Sequence, residues 1–178
     1  PLKPSSAYSA SKAASDLAVI AHHITHGLDT VITRCVNNFG LNQFPEKLLP
    51  RIINRCLRGE SLPIYGDGKN VRDWLYVLDH CKGIELAFKT GKSGETYNIG
   101  GRNERNNLYI VETVCNILNN IKPKATGKYQ DQITFVKDRP GHDLRYAIDA
   151  TKIETELGWK ADENFETGIK KTIEFCNY

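Results

Sequence analysis

The sequence predicts an α/β fold, because helical and extended patterns alternate along its 178 residues. Residues 7–26 carry apolar side chains at helical spacing, with Leu17, Ile20 and Ile24 on one face. Residues 30–36 are rich in β-branched and apolar side chains, which is typical of a strand covered on both faces of a parallel sheet. Repeated alternation of such segments favours a sheet flanked by helices.

Short segments bounded by glycine and turn residues define the later elements. A helix is predicted over residues 46–58, because Gly59 after it is a stop signal. Residues 62–65 and 71–76 have extended patterns and are separated by a glycine-rich turn. The remaining predicted elements are a helix over 78–90, a strand over 96–99, a helix over 109–121, a strand over 133–136, and helices near 150–157 and 164–176.

The composition excludes several classes of protein. The chain is 40% apolar and 25% charged, so it is typical neither of disordered chains nor of collagen. No apolar run approaches the roughly 18 residues of a membrane span, and the net charge of +3 comes from interspersed signs. We therefore expect no nucleic-acid partner and no membrane segment. The densest basic groups are short and are interpreted as solvated faces: Arg51, Arg55 and Arg58, and Lys122, Lys124 and Lys128.

The cysteines indicate a reducing compartment. Cys35, Cys56, Cys81, Cys115 and Cys176 are odd in number, far apart in sequence and without a Cys-x-x-Cys pair. This pattern favours free thiols over a disulfide framework or a zinc site, so we expect a cytoplasmic protein without a metal. The sequence also has no methionine, even at position 1, and we interpret it as part of a longer protein.

Tyr8 and Lys12 form a Tyr-x-x-x-Lys pair on the first predicted helix. Their i, i+4 spacing places both side chains on one face, away from the stripe formed by Leu17 and Ile24. An ammonium beside a phenol stabilises the phenolate, so the tyrosine could act as a general base while the lysine also bonds a ribose. The pair by itself is equally compatible with a surface Tyr–Lys contact.

Further polar residues follow or interrupt the predicted strands. Asn37 and Asn38 come directly after the first strand, where the ligands of open α/β sheets bind, although asparagine also favours simple turns. Arg72, and Arg139 in the string that spans residues 138–143, carry the planar guanidinium that grips a diphosphate. An ion pair with the neighbouring aspartate is the alternative interpretation of each arginine.

Seven motifs in a fixed order are more specific than any one of them. They are Ser5-Ser6-Ala7-Tyr8-Ser9-Ala10-Ser11-Lys12, Asn37-Asn38-Phe39-Gly40, Phe44-Pro45-Glu46-Lys47-Leu48, Pro63-Ile64-Tyr65-Gly66, Arg72-Asp73-Trp74-Leu75-Tyr76-Val77, Glu95-Thr96-Tyr97-Asn98-Ile99-Gly100-Gly101 and Asp138-Arg139-Pro140-Gly141-His142-Asp143. Their order and spacing resemble those of the dTDP-glucose 4,6-dehydratases, within the extended short-chain dehydrogenase/reductase family. The resemblance covers essentially the whole chain, and its fourth and seventh strings favour this branch over the sibling epimerases.

The resemblance implies the C-terminal part of an NAD(P)-binding Rossmann-like fold together with its smaller α/β substrate-binding domain. Residues 1–40 would complete the cofactor domain, and residues 41–178 would mainly form the sugar-nucleotide-binding domain, with some segments returning to the cofactor domain. The family's glycine-rich βαβ unit and Asp-Glu elimination pair would lie upstream, so we predict that the isolated chain is inactive.

The activity that the resemblance implies is an NAD-dependent lyase reaction. It converts dTDP-glucose to dTDP-4-keto-6-deoxyglucose in deoxysugar biosynthesis, for example of rhamnose. Tyr8 would take the proton of the sugar 4-hydroxyl, Lys12 would assist Tyr8 and hold the nicotinamide ribose, and Asn38 would face the cofactor. Asn37 would face the substrate, and the residues that would border its nucleotide, with the Tyr65 ring near the thymine, are Lys47, Leu48, Pro63, Ile64 and Tyr65. The residues that would hold the diphosphate and nucleoside are Arg72, Asn107, Asp138, Arg139, Pro140, Gly141 and His142.

Two alternatives stay open beside this interpretation. One is a sibling NAD-dependent sugar-nucleotide 4-epimerase, and the other is a catalytically silent fragment that binds a sugar nucleotide. The resemblance also implies a homodimer that pairs through the helix carrying Tyr8 and Lys12. Departures from the family pattern at Phe39, Leu78 and Leu144 are peripheral to the chemistry, although Leu144 would weaken the electrostatic grip on the substrate.

Overall fold

The computed structural model describes Pro4, residues 6–138 and residues 144–175, and these contain six α-helices and eight β-strands. The helices are α1 (Ala7–His26), α2 (Leu48–Arg58), α3 (Val77–Thr90), α4 (Asn107–Ile121), α5 (Thr151–Leu157) and α6 (Phe165–Phe175). The strands are β1 (Ile32–Cys35), β2 (Asn37–Phe39), β3 (Leu62–Tyr65), β4 (Val71–Tyr76), β5 (Thr96–Ile99), β6 (Glu104–Asn106), β7 (Ile133–Val136) and β8 (Arg145–Tyr146). The predicted α/β class is confirmed.

Parallel pairing predominates among the strands. β1 pairs with β5 and β3 with β7, each in parallel, while β4 pairs in parallel with β2 and β8 and antiparallel with β6. The carboxyl ends of β3 and β7 therefore meet at one edge, where the backbone N–H of Gly66 donates to the carbonyl of Val136 over 2.9 Å. This edge brings residues 65–66 close to the segment that follows β7.

The first predicted strand is wrong in one respect, because β1 ends at Cys35 and the asparagines expected to follow the strand, Asn37 and Asn38, lie in a strand of their own, β2. The segment divides at the buried Val36, and β1 and β2 on either side pair with β5 and β4 respectively. The sequence also gave no signal for β6 and β8, which are short and polar. Their backbones are held by pairing with β4 rather than by an apolar pattern of their own.

Two apolar clusters hold these elements together. The larger cluster joins α2, α4 and α6 around β3, and includes Ile53, Leu118 and Ile169 at no more than 1% exposure. The smaller cluster packs α3 and α5 against β5, with Tyr97 and Ile153 fully buried. Burying each such side chain contributes about 1.5–3 kcal/mol, so packing, rather than local propensity, fixes the short strands.

The apolar stripe of helix α1 is not covered by the described part of this chain. None of its residues is buried in the described part of the chain, and Leu17 and Ile24 are 57% and 77% exposed. Its ends follow the sequence signals, since Ser6 caps the first turn and Gly27, at φ 65°, ends the helix. An ion pair of 2.7 Å between Asp16 Oδ2 and Arg34 Nε links it to β1.

The four described cysteines are free thiols. Cys56 and Cys115 are buried in the larger cluster with their sulfur atoms 3.9 Å apart, whereas Cys81 is exposed. The neighbouring thiol of Cys115 raises the pKa of Cys56, and burial raises it further. Cys176 lies outside the described residues. Among the described helices, none combines the length and apolarity that crossing a membrane requires.

Candidate functional site

One pocket lies between α2, β3 and α4. Five residues that the resemblance assigns to the nucleotide line it: Leu48, Pro63, Ile64, Tyr65 and Asn107. They are far apart in sequence, so their common lining is a consequence of the tertiary fold. We call this cavity the nucleotide pocket.

The local structure explains how β3 and α4 present these side chains. Side chains alternate along β3, so Leu62 and Ile64 are 2% and 3% exposed while Tyr65 is 42% exposed. Asn106 caps α4, because its Oδ1 accepts the backbone N–H of Tyr109 over 2.7 Å, and this fixes Asn107 at the first helical position. The pocket thus combines an aromatic ring from β3 with an amide at a helix start.

Two arginines of α2 also line the nucleotide pocket, and the sequence interpretation missed them. Arg51 and Arg55 were expected on a solvated face, yet both border this cavity. Arg55 is held in place by donating from Nη1 to the carbonyl of Ser61 over 2.7 Å. The helical spacing of Leu48, Arg51 and Arg55 places all three on one face, and that spacing was the signal that could have found them.

A second cleft adjoins the nucleotide pocket through Leu48, which lines both. Asn37, Asn38 and Lys47 lie along this cleft, as the resemblance implies for the substrate and cofactor. Gln43, which the sequence interpretation did not select, donates from Nε2 to the backbone carbonyl of Asn38 over 2.8 Å. We call this the sugar cleft.

Asn38 is held by a side chain from a distant helix. Its Nδ2 donates to Nδ1 of His80 on α3 over 2.8 Å, and lies 3.7 Å from the sulfur of Cys35. Its Oδ1 is buried and has no hydrogen-bond partner among the described residues. Burial lowers the pKa of His80 below its ordinary value, which favours the neutral ring that can accept this bond.

Tyr8 and Lys12 line a third cleft, where α1 faces the carboxyl-terminal part of β1. Both side chains are exposed, and Tyr8 is 76% exposed. Tyr146 of β8 borders the same cleft. The structure therefore places the two members of the Tyr-x-x-x-Lys pair together, on the face predicted from their spacing.

Arg72 lies on β4, whose backbone at this position pairs with both β6 and β8, and Asp138 lies two residues after β7. Arg72 is in register with Tyr146 of β8, and its Nη1 donates to the carbonyl of Val71 over 2.7 Å. Asp138 packs against the turn at Gly66, where an added Cβ would lie 3.3 Å from its Oδ2. Neither residue lines the nucleotide pocket. Four predicted substrate residues lie outside the described residues: Arg139, Pro140, Gly141 and His142.

No metal centre emerges from the residues that the structure describes, since these contain no suitable group of three or more histidine, cysteine, aspartate or glutamate side chains. His22 and His26 stack with ring centroids 5.4 Å apart at the end of α1.

Comparison with known proteins identifies the family of this chain. The family model described as GDP-mannose 4,6 dehydratase matches residues 1–172. The chain belongs to the GDP-mannose 4,6 dehydratase family. Within it, the dTDP-glucose 4,6-dehydratase of Salmonella typhimurium is 58% identical over 172 residues, which are 97% of this chain and 47% of that enzyme. The chain thus spans about half the length of such relatives.

Two solved structures resemble this chain equally well in fold, although their enzymes are named for different reactions. The dTDP-glucose 4,6-dehydratase DesIV of Streptomyces venezuelae, crystallised with NAD and TYD bound, has a TM-score of 0.88 and 45% identity, covering 98% of this chain and 52% of that one. A UDP-glucose 4-epimerase of Thermotoga maritima with UDP-glucose also reaches 0.88, but at 26% identity, over 98% of this chain and 54% of that one. Both the extended short-chain dehydrogenase/reductase fold and the predicted resemblance to dTDP-glucose 4,6-dehydratases are confirmed.

Proposed function

We propose that this chain is part of an NAD-dependent dTDP-glucose 4,6-dehydratase. The observation that carries the proposal is the nucleotide pocket, in which residues of α2, β3 and α4 assigned to the nucleotide by resemblance line one cavity. The higher identity to dehydratases, 58% and 45%, than to the Thermotoga epimerase, 26%, supports this reaction over epimerisation.

The residues around Tyr8 fit a nicotinamide nucleotide. Tyr8 and Lys12 offer an exposed hydroxyl and ammonium in one cleft. Oδ1 of Asn38 at the sugar cleft, which has no hydrogen-bond partner among the described residues, offers an acceptor for an amide N–H. Tyr8, Lys12 and Asn38 would therefore hold the nicotinamide half of NAD. When bound, NAD would supply a reversible acceptor for the hydride that the sugar gives up.

The chain's own residues would handle the first proton and orient the sugar. The Lys12 ammonium on the same helix face would stabilise the phenolate of Tyr8, and the phenolate oxygen would accept the proton of the 4-hydroxyl and become the neutral phenol. Asn37 and Lys47 in the sugar cleft would hydrogen-bond the hexose or its phosphates. The acid and base for elimination across C5 and C6 are those that the resemblance places upstream.

The nucleotide pocket would recognise the base and the diphosphate separately. The half-exposed ring of Tyr65 gives thymine a stacking surface, while Pro63 and Ile64 supply apolar walls. The cationic side chains of Arg51 and Arg55 at the same pocket favour an anionic ligand. Arg72 and residues 138–142 complete the proposed grip on the diphosphate and nucleoside.

Several finer features belong to the same proposal. The resemblance supports pairing of two copies through the helix that carries Tyr8 and Lys12. We further propose a division of the chain into residues 1–40 and residues 41–178, a cytoplasmic location, and a role in deoxysugar biosynthesis such as that of rhamnose. Size-exclusion chromatography with light scattering would test the homodimer.

Nucleotide binding to the chain tests the proposal directly. Isothermal titration with dTDP, UDP and GDP should show that dTDP binds most tightly, because the pocket offers stacking and apolar contact to the thymine ring. Tyr65→Ala should weaken dTDP binding by about 5- to 150-fold, which corresponds to roughly 1–3 kcal/mol for one base stacked on an aromatic ring.

An aromatic residue elsewhere provides the control. Phe88 on α3 is 81% exposed and does not line the nucleotide pocket, so Phe88→Ala should leave dTDP binding unchanged. A preference for UDP would favour the epimerase alternative, and a preference for GDP would contradict the dTDP assignment. Equal effects of the two alanine substitutions would remove Tyr65 from the base site.

A further inference from the structure

His80 is half-buried beside Asn38 of the sugar cleft and has no assigned part in the reaction. It lies on α3, whereas Asn38 lies on β2, and 42 positions separate the two residues in sequence. Their side chains nevertheless form a hydrogen bond of 2.8 Å. This bond brings a titratable ring directly behind an amide that borders the proposed site.

We propose that His80 is a positioning residue that orients the Asn38 carboxamide so that its oxygen receives a hydrogen-bond donor from the bound ligand. This inference rests on the proposed function. The donor is either a sugar hydroxyl or the amide of nicotinamide, because both present an N–H or O–H to a neutral acceptor.

The hydrogen-bond inventory determines the orientation. Nδ2 of Asn38 donates to His80, so Nδ1 of His80 carries a lone pair and the proton of the neutral ring is on Nε2. The orientation leaves Oδ1 of Asn38 buried without a partner among the described residues. An unsatisfied buried acceptor is unfavourable, and a ligand that donates to it recovers this free energy on binding.

Protonation of His80 would reverse the orientation. A doubly protonated ring donates from both nitrogens, so Nδ1–H would face the donor Nδ2 of Asn38, and the amide would have to rotate. The rotated amide presents an N–H where the ligand needs an acceptor. Ligand affinity should therefore fall in acid as His80 becomes charged, below its ordinary titration range.

Other titratable groups surround α3 and must be separated from His80 in a pH profile. Burial is the cause of the lowered pKa of His80. The titratable side chains on α3 itself are Asp79, Cys81, Lys82, Glu85 and Lys89. Those on the elements packed against it are Arg34, Cys35, Arg72, Asp73, Tyr76, Tyr97, Lys152, Glu154 and Glu156.

Two substitutions separate orientation from packing. His80→Asn places an amide acceptor near the position of Nδ1, whereas His80→Leu fills the space without an acceptor. Both variants would be titrated with dTDP, dTDP-glucose and NAD at pH 8 and pH 5. The difference in affinity between dTDP-glucose and dTDP measures the contribution of the sugar, and the affinity for NAD tests the contribution of the nicotinamide amide.

We expect His80→Leu to weaken the binding of either dTDP-glucose or NAD by about 3- to 10-fold at pH 8, which is the range of a net hydrogen bond. The affinity for dTDP alone should equal that of wild type. His80→Asn should retain wild-type affinity and lose the decline between pH 8 and pH 5. Loss in the dTDP-glucose arm assigns the donor to the sugar, and loss in the NAD arm assigns it to nicotinamide.

Three outcomes would overturn the inference. These are unchanged affinity of His80→Leu in both arms, equal weakening by both substitutions, or the same pH profile in wild type and His80→Asn. Failure of wild type to bind dTDP would instead contradict the proposed function, and the inference would fall with it. Nitrogen NMR of His80 gives a readout that needs no ligand, because a proton on Nδ1 rather than Nε2 at pH 8 also overturns the inference.

Discussion

At the scale of single residues, a buried carboxylate organises the loop that leads to the nucleotide pocket. Asp73 is 2% exposed, and its two oxygens accept the backbone N–H groups of Gly101 and Asn103 over 3.1 Å and 2.7 Å. Burial raises the pKa of Asp73, while these backbone donors oppose the rise. The loop between β5 and β6 is thereby fixed to β4, just before the helix start that carries Asn107.

Glu166 of α6 is the second residue whose role follows from its partners. The Arg105 guanidinium holds the pKa of Glu166 below its usual value, and the Tyr109 hydroxyl contributes in the same direction. Arg105 Nε and Tyr109 Oη lie 2.9 Å and 2.8 Å from Glu166 Oε1. These bonds tie β6 and α4 to α6 beside the pocket.

The Glu166 contacts predict a pH-dependent loss of stability. A lowered carboxyl pKa stabilises the fold above the unfolded value of about 4.3, and this contribution is lost as pH falls through the folded-state pKa. Glu166→Gln should therefore lower the free energy of unfolding by about 0.5–1 kcal/mol at pH 7, a small value because the pair is partly exposed. The difference should shrink toward zero near pH 3.

Urea unfolding at the two pH values measures this difference. Glu174→Gln on the same helix is the matched control, because Glu174 Oε1 lies 3.8 Å from Lys170 Nζ in an exposed pair. That variant should be indistinguishable from wild type. A loss for Glu166→Gln that is equally large at both pH values would show that packing, rather than charge, is responsible.

At the scale of elements, close backbone approach matters as much as apolar packing. Gly101 follows β5, and a Cβ there would lie 2.1 Å from the carbonyl oxygen of Trp74 on β4. No side chain fits between these two backbones. The carboxyl end of β5 thus lies against β4 only because residue 101 is glycine.

Gly101→Ala should therefore destabilise the fold by about 2–4 kcal/mol, since the strands must separate or the loop must shift. Gly59→Ala is the control, because its Cβ would have nothing within 4 Å and only its φ of +69° would be strained. That control should cost about 1–2 kcal/mol. Equal urea midpoints for the two variants would contradict the steric explanation.

Most elements could be predicted from local patterns, but their partners could not. The bounds of α1, β3, β4, β5 and β7 agree with the sequence interpretation, because period, caps and turn residues are local signals. The division at Val36 could not be predicted, since β1 and β2 differ only in the distant strands with which they pair. The positions of Arg51 and Arg55 beside the nucleotide pocket likewise depend on β3 and α4.

At the scale of the whole molecule, the nucleotide pocket, the sugar cleft and the cleft that contains Tyr8 are connected by shared or consecutive residues. The nucleotide pocket and the sugar cleft share Leu48, and Val36 of the sugar cleft follows Cys35 of the cleft that contains Tyr8. This order of clefts is the one that the proposed binding of nucleotide, sugar and nicotinamide uses. It rests on segments from α1 to α4 rather than on a single motif.

Completing the chain should therefore restore turnover. We expect a fusion that places the unmatched portion of the Salmonella relative ahead of this chain to convert dTDP-glucose to a 4-keto-6-deoxy product, measured by mass spectrometry. Tyr8→Phe in the fusion should lower kcat by at least about 100-fold, because proton transfer to a positioned base contributes on this scale. Binding of dTDP should stay unchanged.

Two comparisons make this experiment decisive. Tyr109→Phe removes a hydroxyl that bonds Glu166 and lies outside the three clefts, so it should leave kcat near that of the fusion. The 178-residue chain alone is expected to show no turnover. Dehydratase activity of that chain, or wild-type kcat in Tyr8→Phe, would contradict the assignment of roles.

The sequence by itself determined the α/β class, the bounds of α1, β3, β4, β5 and β7, and the Tyr8–Lys12 pair, because each depends on spacing within a few residues or on motifs in register. Only the tertiary structure decided which polar groups meet. The bond between Asn38 and His80 joins residues 42 positions apart, and the nucleotide pocket draws its walls from residues 48–111. Such contacts arise from burying the faces of separate elements together, and no local pattern in the chain encodes them.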